Sequence, residues 1–179
     1  MQAKKFWKTA SPVILLTIVV AVCVSILTYV DSITRDKIAA QENAAVEEML
    51  ATMFPEMTDY KYENEIYTIY DGEEQVGYAF LAIGSGYGGD INILVGLEDA
   101  TTIKEISIIS QEETPGLGTR ITEPDFTNQF IGLPIDDVAL SRDGGQVDAI
   151  TSSTISSSAV VDAVRETALE KVKQLTENQ

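Results

Sequence analysis

Ala10 to Val30 is a run of 21 residues without one charged side chain, and nothing else restricts the fold of this chain as strongly. At about 1.5 Å of rise per residue, a helix of that length covers a hydrocarbon core of about 30 Å. A transmembrane helix is therefore expected over residues 10–30, with Pro12 tolerated in its first turn. Lys4, Lys5 and Lys8 precede the run and Asp31 follows it. That asymmetry predicts a cell-membrane, single-pass protein whose N-terminus (residues 1–9) is cytoplasmic and whose main domain is extracytoplasmic. Phe6 and Trp7 then fall at the inner interface and Tyr29 at the outer one. A cleavable signal peptide is the competing reading, but its apolar region normally spans only about 7–15 residues. Cys23 reads as a small membrane-facing hydrophobe, since Val22 suits a lipid-attachment site poorly.

Beyond the apolar run the composition reverses. Three of the 12 Lys and Arg, and none of the 28 Asp and Glu, lie in the first 30 residues, so nine cations face all 28 acids in the rest. Nucleic acid is excluded as a partner on this ground, because its binding depends on neutralising phosphates with basic side chains. The chain has no His and one Cys. This removes His-ligated haem, iron–sulfur clusters held by four cysteines, the usual zinc sites, and Ser–His or Cys–His catalysis. An electron carrier in this chain would have to be held by other groups, a requirement that a flavin meets.

From Asp31 to Pro55 the pattern is polar and helical, with Ile33, Ile38, Ala45, Met49 and Met53 near the helical period. It predicts a stalk helix over 31–55, or the first helix of the domain continuing from the membrane. Residues 56–179 form the expected domain. Ile66–Tyr70, Gln75–Ile83, Ile91–Leu97 and Thr102–Ile109 are β-rich, with Asp71-Gly72 and Glu98-Asp99-Ala100 as tight connections, which points to an antiparallel sheet. Gly84–Gly89 carries four glycines in six residues. It is either a wide hairpin loop or a place where a planar ligand meets backbone. Pro115-Gly116 suits a type II turn and Gly118 a second one. Pro124–Phe130 reads as one or two helical turns with Phe126 and Phe130 in the core. Val138–Leu140 and Gln146–Ile150 read as a last hairpin around Arg142–Gly145. Val161, Val164, Ala168, Val172 and Leu175 make the apolar stripe of a closing helix.

Ahead of that helix, Thr151–Ser158 places seven hydroxyls in eight residues. Ser and Thr favour turns and caps, and a helix start offers N–H groups and the positive end of its dipole to an anion. The stretch is either a cap or an attachment site for a phosphate-bearing cofactor.

Asp148-Ala149-Ile150-Thr151-Ser152-Ser153-Thr154 resembles the flavinylation motif of the FMN-binding domain family, found in the G subunit of the Rnf electron-transport complex and the C subunit of the Na+-pumping NADH:quinone oxidoreductase. Glu113-Thr114-Pro115-Gly116-Leu117-Gly118 resembles the second signature of that family and precedes the first, as it does there. The resemblance implies covalent FMN, joined through its phosphate to Thr154 by a dedicated flavin transferase, with Thr151, Ser152 and Ser153 around it. It also implies that Glu113, Thr114, Leu117 and Gly118 line the isoalloxazine pocket, with Tyr87 and Gly88 as a further wall. Ser152-Ser153 departs from the Gly-Ala usual at those positions.

The fold expected is α+β: a transmembrane helix and stalk helix, then an antiparallel-sheet FMN-binding domain with a packed C-terminal helix. By the same resemblance the protein is an electron-relay subunit of a membrane ion-pumping ferredoxin:NAD oxidoreductase. The resemblance implies that its partners are the other membrane subunits of the Rnf complex, and no complete catalytic activity is expected of it alone. Three rivals stand beside this reading: the C subunit of the quinone reductase, a free-standing membrane flavoprotein, and a flavin-free anchored sensor or structural domain.

Overall fold

The computed structural model describes residues 15–30 and 45–177, in two units divided between residues 44 and 45. Residues 15–30 are helical with every side chain exposed. The polar side chains Ser25 and Thr28 turn back on the helix itself, their hydroxyls donating to the carbonyls of Ala21 (2.7 Å) and Val24 (2.9 Å). Among the described residues no helix is long and apolar enough to cross a membrane. The expected span over 10–30 lies partly outside them, as do the basic N-terminus and the first part of the expected stalk, residues 31–44.

The second unit is built on a five-stranded antiparallel meander. Its strands are β1 (Asp59–Glu63), β2 (Ile66–Asp71), β3 (Glu74–Ser85), β4 (Asp90–Leu97) and β5 (Ile103–Ser110), in spatial order β1-β2-β3-β4-β5. The four β-rich segments read from the sequence are β2 to β5, and β1 is added on the outer edge. Asp99 shapes the β4–β5 turn. One of its carboxylate oxygens accepts the N–H groups of Thr101 (2.7 Å) and Thr102 (2.9 Å) and the Thr101 hydroxyl (2.8 Å), which hold its carboxyl below its usual pKa. The far side of β5 is covered by a loop, with Ile103 N–H donating to the Leu133 carbonyl and Gly132 N–H to that of Ile103.

Helices lie on both faces. Helix α1, residues 45–53, packs Val46, Leu50 and Met53, with the following Phe54, against Tyr67, Ile69, Ala79 and Leu94. The described part of the segment expected as a stalk over 31–55 is thus the first helix of the domain. Gly77 and Gly96 let it approach, since a Cβ at either would collide with Phe54 or Met53. Lys104 lies over the Phe54 ring at 4.8 Å and bonds Glu56 at 2.9 Å, an ion pair that holds the Glu56 carboxyl below its usual range.

The short helix α2 (Pro124–Thr127) runs into a 3-10 turn, Asn128–Phe130, and delivers Phe126 and Phe130, edge-to-face at 5.7 Å, into the core on the opposite face of the sheet. Helix α3 (Thr154–Glu177) covers that face with Val160, Val161, Val164 and Ala168, meeting Phe80, Ala82, Ile91, Ile93 and Val95. Each fully buried Val, Ile or Phe among these contributes about 1.5–3 kcal/mol through the apolar area it removes from water.

One expected element is absent. Residues 138–150 form no hairpin: Ser141–Asp143 is a 3-10 turn, and Leu140 meets Val147 in a single parallel bridge. Val138, Leu140 and Val147 are buried by packing into the α3-side core, so their apolar alternation reflects that burial without any ladder.

Candidate functional site

Three segments distant in sequence meet where α3 begins. Ser153 N–H donates to the Ile150 carbonyl (3.0 Å), closing a turn in which Ser152 takes a left-handed φ of 70°. The helix starts at Thr154. Ser157, fully buried in the first turn, binds that turn to the helix: its hydroxyl donates to the Ser153 carbonyl and accepts from Ile150 N–H, both at 3.0 Å. The Ser153 hydroxyl is buried and has no hydrogen-bond partner among the described residues.

The second segment is the β3–β4 hairpin, closed by Gly86 N–H donating to the Gly89 carbonyl at 2.9 Å. The third follows β5, where Gly116 (φ 75°) turns the chain, Leu117 N–H donates to the Thr114 carbonyl, and a 3-10 turn starts at Gly118.

Glu113 ties the three together. Only 5% of it is exposed. Its Oε1 accepts the N–H of Gly88 (3.0 Å) in the hairpin, and its Oε2 accepts the hydroxyl of Ser156 (2.7 Å) in α3. Gly86 and Gly118 flank the carboxylate so closely that a Cβ at either would overlap one of its oxygens. Hydrogen bonds to a charged acceptor are shorter and stronger than neutral ones, which suits a group that must join separate elements.

Around this junction lies a cavity of ≈ 490 Å³, lined by Tyr87, Glu113, Thr114, Leu117, Gly118 and the run Ser152 to Ser156. That volume falls within the range of about 300–1,000 Å³ common to small-molecule sites. Its mouth carries large exposed apolar side chains: Tyr87, Leu117 and Ile155.

Eight of the residues singled out from sequence are brought together here: Thr154, Ser152, Ser153, Glu113, Thr114, Leu117, Gly118 and Tyr87. Gly88 contributes its N–H to the Glu113 carboxylate without lining the cavity. Thr151 does not reach it. The left-handed Ser152 reverses the chain, and Thr151 instead lines a smaller cavity of ≈ 220 Å³ with Asp148, Gln129 and Arg120. Asp148 itself is used structurally, accepting the Ser141 hydroxyl at 2.6 Å while its N–H donates to Gln129 at 2.7 Å. Ile155 and Ser156 are additions. Ser156 could have been found from the helical stripe, which extended backwards from Val164 and Val160 reaches Ser157 and Ser156.

Residues 86–169, which contain the junction, match the model of the FMN-binding domain family. A Methanosarcina acetivorans protein, named as the G subunit of an ion-translocating oxidoreductase complex, is 38% identical over 157 residues, covering 81% of this chain and 84% of the relative. A Clostridium ljungdahlii protein, named as the G subunit of a proton-translocating ferredoxin:NAD(+) oxidoreductase complex, is 34% identical over 113 residues, 62% of this chain and 60% of that one. Among solved structures, the C subunit of the Na(+)-translocating NADH-quinone reductase of Parabacteroides distasonis shares the fold at 24% identity and a TM-score of 0.50, over 60% of this chain and 61% of that chain. Identity of this depth over most of both chains, together with a domain match that spans the junction, places the chain in the G-subunit family of the ion-translocating oxidoreductase (Rnf) complexes, with an FMN-binding domain.

Proposed function

We propose that the chain relays electrons within a membrane ion-pumping ferredoxin:NAD oxidoreductase complex through an FMN joined by a phosphoester to Thr154. The observation that carries this reading is the position of Thr154: it is the first residue of a 24-residue helix and lines the cavity beside a buried Ser153 hydroxyl that has no partner among the described residues. Both features fit a phosphate. A helix start attracts an anion, the first turn of α3 has no acidic side chain to compete for it, and a buried hydroxyl without a partner is a donor in search of an acceptor. The remainder of the cavity fits a flat, largely apolar ring system, for which Leu117, Ile155 and Tyr87 supply the contact surface.

Bound there, the flavin supplies reversible redox chemistry that the side chains lack. The protein supplies place and permanence. Thr154 provides the ester oxygen, Ser153 and the start of α3 stabilise the phosphate, and the Glu113 junction fixes the walls. A covalent tether also removes the dependence of occupancy on free cofactor concentration, which matters for a domain outside the cytoplasm. That location rests on the uncharged run Ala10–Val30 and the three lysines before it. The other membrane subunits of the complex are the partners, and a flavin transferase matures the protein.

Co-expression with a flavin transferase tests this reading. Denatured wild-type protein is expected to fluoresce in a gel, Thr154→Val to be dark, and Thr154→Ser to retain signal because it keeps a hydroxyl. A fluorescent Thr154→Val band would refute the assignment.

A further inference from the structure

Glu113 is a carboxylate buried in a cavity wall that forms no ester and binds no phosphate in the reading above. An unpaired buried charge is strongly unfavourable, so a carboxylate persists there only when donors meet it. Two do, and they come from different elements: the Gly88 N–H from the β3–β4 hairpin and the Ser156 hydroxyl from α3, 43 residues away in sequence. The glycines at 86 and 118 leave the carboxylate the space it occupies. Gly88 is held equally closely on its other side, where a Cβ would overlap the Glu112 carbonyl. The hairpin that carries Tyr87 to the cavity mouth is thus docked on the 112–113 segment through backbone and one carboxylate.

We propose that Glu113 is a positioning residue with two effects: it pins the Tyr87 hairpin and the first turn of α3 into one pocket, and its negative charge lowers the reduction potential of the group that pocket holds. The second effect rests on the FMN reading; the first does not. Reduction adds electrons to the ring. A fixed negative charge in a wall shielded from water opposes that addition, and a neutral side chain of the same shape does not.

Glu113→Gln separates the two effects. Its amide oxygen can still accept from Gly88 while its NH2 group donates to the Ser156 hydroxyl, so the pin is kept and the charge removed. Glu113→Asp keeps the charge, but is one methylene too short to reach both donors. Two measurements decide the matter. In flavin-free Thr154→Val protein, exchange of the Gly88 amide hydrogen is expected to be as slow with Glu113→Gln as without it. With Glu113→Asp, and more so with Glu113→Ala, it is expected to be at least tenfold faster. Equal exchange in all four proteins would overturn the pinning role. In flavin-loaded protein, spectroelectrochemical titration at fixed pH is expected to show a more positive midpoint for Glu113→Gln than for wild type. An unchanged midpoint would overturn the charge effect. Wild-type protein that never acquired flavin would count against the Thr154 reading and remove the charge effect that rests on it, and the exchange experiment would still decide the pinning role.

Discussion

Helix α3 is tied to the rest of the domain by a polar link near each end, and the two are built in opposite ways. At its start, Ser156 and Ser157 turn buried hydroxyls inward, one to the Glu113 carboxylate in the cavity wall and the other to the backbone of the preceding turn. Near its end, Lys171 reaches Glu65 in the β1–β2 turn at 2.7 Å, with the lysine side chain 5% exposed and the glutamate 79%. The first link needs every member because all are buried. In the second, the aliphatic stem of Lys171 supplies the packing, and the carboxylate that meets its ammonium is already in water. One end of the helix is therefore specified by hydrogen bonds around a cavity, and the other by an ion pair between a buried lysine and an exposed glutamate that fixes helix against hairpin.

Breaking the buried end should cost most. Ser157→Ala leaves the Ile150 N–H without its acceptor, and urea unfolding is expected to show a loss of about 1–3 kcal/mol. Lys171→Met should stay within about 1 kcal/mol of wild type, because it keeps the volume and leaves only a solvated Glu65 behind. Glu65→Gln is expected to destabilise more than Lys171→Met, since it leaves the buried ammonium without its charged partner; the reverse order would remove the asymmetry.

Acid provides a milder probe of the exposed links. The carboxyls of Glu56 and Glu65 are held below their usual range by hydrogen bonds from Lys104 and Lys171, and that of Asp99 by the donors of Thr101 and Thr102. A lowered folded-state pKa contributes stability that is present above the unfolded value, near 4, and is lost as pH falls through the folded one. Melting temperature measured against pH should fall below about pH 4, less steeply in an Asp99→Asn, Glu56→Gln double variant. The smallest effect belongs to Ser153→Ala. Its hydroxyl has no partner to lose, so flavin-free protein is expected to be unchanged or up to about 1 kcal/mol more stable, while flavin attachment falls.

Much of this domain could be read from sequence, and the exceptions have a common cause. Strands β2 to β5 announce themselves by β-branched runs between turn residues, and the stripe of α3 by its period. The segment 138–150 carries the same apolar alternation yet is organised by one 3-10 turn and one bridge, because burial fixes which residues are apolar but not how the chain between them is bonded. Glu113, Thr114, Leu117, Gly118 and Ser152 to Thr154 are legible as two short motifs, whereas Ile155 and Ser156 lie beyond them. The junction is not legible, since Glu113 and Ser156 meet only after the sheet and α3 have packed. Thr151 departs from its expected place for a local reason: the left-handed φ of Ser152 sends adjacent hydroxyls into different cavities.

The tether itself is tested most directly by mass spectrometry of the tryptic peptide Asp143–Arg165 from protein matured in its own membrane. The account predicts a peptide heavier by one FMN less one water, with fragmentation placing the addition on Thr154. An unmodified peptide, or an addition on any neighbouring serine, would contradict it.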